Sequence, residues 1–115
     1  MSVFADRERG FDAKFIYDEE RRVRVTTRRN RLLALWAAEA MRKPAAEREA
    51  YASEVVRANI AEHSDAAARV RADLAAGGIL VSDDEVALRA GEFLARAEQQ
   101  LRIEDLTTPE SAPHH

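Results

Sequence analysis

Six arginines crowd into eleven residues, Arg21, Arg22, Arg24, Arg28, Arg29 and Arg31, with no acid between Arg21 and Asn30. A guanidinium is permanently charged and presents a planar fork of donors that fits a carboxylate or a phosphate. This cluster is therefore the clearest binding chemistry in the chain. It reads in three ways: a solvated helix face paired to acids on neighbouring helices, a protein-docking surface, or a contact with the phosphates of a nucleotide or nucleic acid. The first carries most weight. Nucleic acid carries least, because the whole chain has a net charge of −3 and no base-stacking aromatics accompany the arginines.

Other reactive groups are sparse. There is no cysteine, which removes disulfides, thiolate catalysis and sulfur-ligated metals. His63 is expected at a helix end, in a solvated or capping role, and His114 and His115 are the last two residues. No metal site is expected from them. Asp83, Asp84 and Glu85 resemble paired carboxylates, but acids in a first helical turn are favoured by the helix dipole, which explains them better than acid–base catalysis does. The chain contains no glycine-rich phosphate loop, serine elbow or Cys/His pair. We assign no catalytic residue and expect no enzymatic activity.

The elements that carry these residues follow from composition and periodicity. At 115 residues the chain suits one domain with a modest core. Apolar residues make up 46% and charged residues 34%, with only 4 Gly and 3 Pro, the mixture of helices with one buried stripe and one wet face. No apolar run approaches the roughly 20 residues that cross a bilayer, and the first residues lack a basic segment followed by an apolar one, so a cytoplasmic protein without membrane insertion is expected. Charge is uneven: residues 1–50 carry +3, with 12 Lys or Arg against 9 acids, and residues 51–115 carry −6, with 6 against 12.

Four helices are predicted, preceded by a less regular segment over residues 1–16. The first runs from about Tyr17 to Met41, burying Leu32, Leu33, Trp36, Ala37, Ala40 and Met41. Asp18–Arg22 and Glu20–Arg24 pair along it, each worth about 0.2–0.5 kcal/mol. The β-branched Val23, Val25, Thr26 and Thr27 weaken it. The second runs from about Pro44 to Glu62 with Ala52, Val55, Val56 and Ile60 as its stripe and Tyr51 at the edge. The third is capped by Ser64 or Asp65, buries Ala67, Val70 and Leu74, and stops at Gly77-Gly78. Ile79, Leu80 and Val81 are expected to plug the end of the bundle. The last helix opens with a capping box, Ser82 to Glu85, and a staple of Val81 on Val86, then buries Val86, Ala90, Phe93, Leu94, Ala97 and Leu101 to about residue 104. Residues 105–115 read as a disordered tail. The fold class is thus all-α, a four-helix bundle over 17–104 with a flexible N-terminal arm and a disordered C-terminal tail.

The arm is the unusual part. Four of the seven aromatics, Phe4, Phe11, Phe15 and Tyr17, fall within the first 17 residues, although termini are usually the least buried part of a domain. Phe4, Phe11 and Phe15 share one helical face, with Asp6, Arg7, Glu8 and Arg9 around them. Gly10 lowers helicity by about 1 kcal/mol relative to alanine. From spacing alone, packing back on the bundle and binding a partner's groove are equally good readings.

Phe4-Ala5-Asp6-Arg7-Glu8-Arg9-Gly10-Phe11-Asp12-Ala13-Lys14-Phe15, then Asp18-Glu19-Glu20, then Arg28-Arg29-Asn30-Arg31-Leu32-Leu33-Ala34-Leu35-Trp36-Ala37-Ala38 resemble the ζ subunit of the α-proteobacterial F-type ATP synthase. Weaker likeness continues through Tyr51 to Val56, Gly78, Ser82-Asp83 and the closing helix. The resemblance implies a four-helix inhibitor of ATP hydrolysis whose mobile arm enters a catalytic α/β interface near the γ stalk. Its partners would be the α, β and γ subunits of the catalytic head, with no nucleic acid, and the free chain would be a monomer peripheral to the inner membrane. Phe4, Asp6, Arg7, Glu8, Arg9, Phe11, Lys14 and Phe15 would then contact the partner, and Arg28 and Arg29 would serve docking or a nucleotide. No cofactor is implied. The alternative is a small helical nucleotide-binding or regulatory module without inhibitory activity, taking ADP or ATP weakly through Arg28 or Arg29, for which the sequence offers no phosphate cradle.

Overall fold

The computed structural model describes the backbone of residues 3–107 and the side chains of residues 18–107. Four helices follow one another: α1 (Val3–Ala40), α2 (Ala45–Glu62), α3 (Ala66–Ala76) and α4 (Asp83–Thr107). The chain is all-α, with no strand among the described residues. Two boundaries differ from expectation. The helical backbone of α1 starts at Val3, not near Tyr17, and passes through Gly10 and the β-branched Val23–Thr27 stretch without a break; single weak propensities lower helicity without by themselves ending a helix. At the other end α4 runs to Thr107, three residues past residue 104, and the remaining tail lies outside the described residues.

The connections are short and specific. After α1, the Lys43 N–H donates to the Ala38 carbonyl and the Arg42 N–H to that of Glu39, the paired bonds of a Schellman stop, with Arg42 at a left-handed φ of 60°. After α3 the same pattern recurs, Ile79 N–H to Leu74 and Gly78 N–H to Ala75, with Gly78 at φ 76°. His63 caps the end of α2 in the left-handed region, φ 56°. Asp65, rather than Ser64, caps α3 by accepting from the Ala67 and Ala68 amides. Ser82 Oγ accepts from the Glu85 amide at 3.1 Å, one of the two bonds of the expected capping box.

These turns send the helices up, down, up and down. α1 packs against all three others, whereas α2 and α4 make no contact with each other among the described residues. The main core joins Leu33 and Ala37 of α1 to Val70 and Leu74 of α3 and to Val86, Ala90 and Phe93 of α4. A second, alanine-lined cluster brings Ala34 close to Ala52, Val55 and Ala66. A third, small one sets Val25 against Ala97 and Leu101.

Three residues expected in the core are exposed instead. Ile60 is 58% exposed, because it lies about 140° round α2 from the fully buried Val55. Leu94 sits at the edge of α4's buried stripe, 36% exposed. Leu80 is fully exposed while its neighbours Ile79 and Val81 pack on the core, the alternation expected of a non-helical connection.

Candidate functional site: the root of the first helix

The arginine cluster occupies α1 between the alanine-rich core and the arm, and its charges are almost entirely spent within the protein. Arg28 lays its fork on Glu104 of α4 in two hydrogen bonds of 2.7 and 3.0 Å and also donates to Gln100 at 3.1 Å. The fork holds the Glu104 carboxyl below the ordinary carboxylate range and raises the Arg28 guanidinium in turn. Arg21 donates to Asp105 at 2.8 Å, and Arg24 approaches the same carboxylate at 3.8 Å. Arg31 crosses to Glu49 of α2 at 2.8 Å. Arg22 pairs with Glu19, three residues earlier on the same helix, rather than with Asp18, and Arg24 reaches Asp105 of α4 rather than Glu20, so a local partner displaces one expected i,i+4 pair and a tertiary partner the other.

Arg29 differs from its neighbours. Its Nε donates at 2.8 Å to Oδ1 of Asn30, which is buried on α1 at 1% exposure with no partner for its Nδ2. The structure thus separates the two residues named for docking or nucleotide contact: Arg28 is committed to α4, and Arg29 is turned onto its own helix. Arg28 has its fork filled by Glu104, whereas Arg29 engages only its Nε.

Around this root lie shallow grooves. One of about 400 Å³ between α1 and α4 is lined by Arg21, Arg22, Val25, Thr26, Leu94 and Glu98, among others. Another of about 300 Å³, between α1 and α2, sets the exposed Val23 beside Ile60, with Thr26, Thr27, Asn59 and His63 around them. Among the described residues no group of three or more His, Cys, Asp or Glu could hold a metal, and no helix is long and apolar enough to cross a membrane.

The side chains of the arm residues, Phe4, Asp6, Arg7, Glu8, Arg9, Phe11, Lys14 and Phe15, lie outside the described residues, whereas their backbone belongs to α1. Among the described residues, Arg21 is the first of α1 bonded to α4. Sequence reasoning missed Gln100, Glu104, Asp105 and the Val23–Ile60 pair. Only the opposite charges of the two halves of the chain hinted that the arginines would find acids late in the sequence.

Fold and site together define a small four-helix protein built round one over-long helix, whose N-terminal part precedes its bonded root. The family model described as ATPase inhibitor subunit zeta matches residues 1–100, and the chain belongs to that family. The resemblance carried by Phe4–Phe15 and Arg28–Ala38 is thereby borne out. Comparison with functionally curated proteins finds no match.

Proposed function

We propose that the chain blocks ATP hydrolysis by the F-type ATP synthase, its residues 3–17 entering a catalytic α/β interface near the γ stalk while the four-helix domain stays outside as anchor and stop. One observation carries this reading: in a member of the ATPase inhibitor subunit zeta family, α1 supplies residues 3–17 as helical backbone ahead of Arg21, where bonding to α4 begins. A helix that brings its own backbone hydrogen bonds can enter an apolar crevice without leaving amides unpaired.

In this proposal Phe4, Phe11 and Phe15 are the apolar anchors on one face. Asp6, Arg7, Glu8, Arg9 and Lys14 pair with charges on the crevice wall and set register more than affinity. Arg28 and Arg29 serve the domain and not a ligand, and no cofactor takes part. The reading is tested by a Phe4→Ala, Phe11→Ala, Phe15→Ala triple variant assayed on an ATP synthase head free of its own inhibitor. Removing three anchors is expected to weaken inhibition by at least about a hundredfold and to leave thermal unfolding of the domain unchanged. Inhibition equal to that of the parent chain would contradict the assignment of the arm.

A further inference from the structure

Between Asp18 and Asn30, only Val25 and Asn30 of α1 are buried. Val25, the buried apolar residue of this stretch, is gripped by α4, where Ala97 and Leu101 meet it with Leu32 beside them. The α2 side is the open groove at Val23 and Ile60. What holds the stretch is ionic. Arg21, Arg24 and Arg28 succeed one another at spacings of three and four residues, which places them on one ridge of α1. That ridge lies along Gln100, Glu104 and Asp105 in the last turns of α4. The Arg28 and Arg21 side chains are 28% and 29% exposed, half-shielded by the helix they bind. A bidentate contact joined to a shared carboxylate forms a network, and networks hold where isolated surface pairs do not.

We propose that Glu104 and Asp105 are positioning residues for the arm: the clasp they close on Arg21, Arg24 and Arg28 keeps residues 18–30 helical and aimed, so that the arm is presented to its partner on a stiff root. The inference rests on the inhibitory reading above. Glu104 and Asp105 lie beyond residue 100, where the family match ends, and the ion-pair geometry carries the inference. An open clasp frees a polar stretch with little apolar burial to fray, and a frayed root must be reordered each time the arm binds. The arm's own side chains need not change for inhibition to weaken.

The test uses the full chain with Glu104→Gln and Asp105→Asn, isosteric changes at a part-exposed surface remote from the main core. Hydrogen exchange at the amides of residues 21–28 should quicken by about tenfold relative to those of residues 33–38, and the half-inhibitory concentration on the isolated head should rise by about tenfold with it. The swapped pair Arg28→Glu with Glu104→Arg should recover most of both, which a merely structural loss of charge would not do. Unchanged exchange overturns the clasp, and faster exchange with unchanged or tighter inhibition overturns its role in positioning the arm. Should the parent chain itself fail to inhibit, the inhibitory reading falls, and the role of the clasp in positioning falls with it, whereas the exchange comparison still decides whether the clasp holds the root.

Discussion

The Tyr51 hydroxyl donates to Asp73 at 2.7 Å across the α2–α3 interface, with the Arg69 guanidinium 5.8 Å and the Lys43 ammonium 5.6 Å from the ring centre. Burial, then the bond to Asp73, pushes the Tyr51 phenol well above its ordinary range. A raised folded-state value favours the protonated phenol, so this stabilisation is complete below the unfolded value of about 10 and fades as pH rises through the folded one. In a Tyr17→Phe background, tyrosinate absorbance should therefore appear only as the domain unfolds in alkali. Tyr51→Phe should cost about 1 kcal/mol in urea denaturation at neutral pH; ionisation near the ordinary value in a folded chain would contradict the contact.

Arg42 and Gly78 end α1 and α3 through the same bonds, yet only one is glycine. A side chain in the left-handed region costs roughly 1 kcal/mol, which glycine avoids. Arg42→Gly should raise stability by about 0.5–1 kcal/mol and Gly78→Ala should lower it by a similar amount. Thermal unfolding of the two variants checks this directly, and destabilisation by Arg42→Gly would show that the Arg42 side chain does more for the turn than its backbone strain costs.

Leu33 and Leu74 are buried together in the main core, whereas Ile60 is mostly exposed. Leu33→Ala and Leu74→Ala should each cost about 2–5 kcal/mol, and Ile60→Ala less than about 0.5. Comparable losses from Ile60→Ala and Leu33→Ala in urea titrations would mean that Ile60 is covered in solution.

Asn30 buries an amide whose Nδ2 has no partner. An unsatisfied buried donor costs about 1–3 kcal/mol, and an apolar group of similar shape avoids that cost. Asn30→Leu should leave the domain as stable or make it more so, despite losing the bond from Arg29. A drop of more than about 1 kcal/mol would imply that a buried water or another acceptor satisfies the amide.

The helices themselves were legible because stripes such as Val86, Ala90, Phe93, Ala97 and Leu101 repeat at the helical period, and because Ser82, Asp65 and Gly78 carry turn chemistry that depends only on near neighbours. Ile60, Leu80 and Leu94 were misplaced for one shared reason: apolar identity says that a side chain can be buried, while its angle round the element decides whether it is. The partners of the arginines were invisible for another. Arg21 meets Asp105 and Arg28 meets Glu104 across 84 and 76 residues, a distance no local pattern spans. The site thus divides into an arm whose aromatic spacing leaves its role open without the family resemblance, and a root readable only once α1 and α4 are laid together.

The most direct test of the account is ATP hydrolysis by a purified F-type ATP synthase head lacking its own inhibitor, titrated with the full chain and with a chain lacking residues 1–18. The account predicts that hydrolysis falls with the full chain and continues undiminished with the shortened one. Inhibition by both would move the inhibitory element into the four-helix domain, and inhibition by neither would contradict the proposed function.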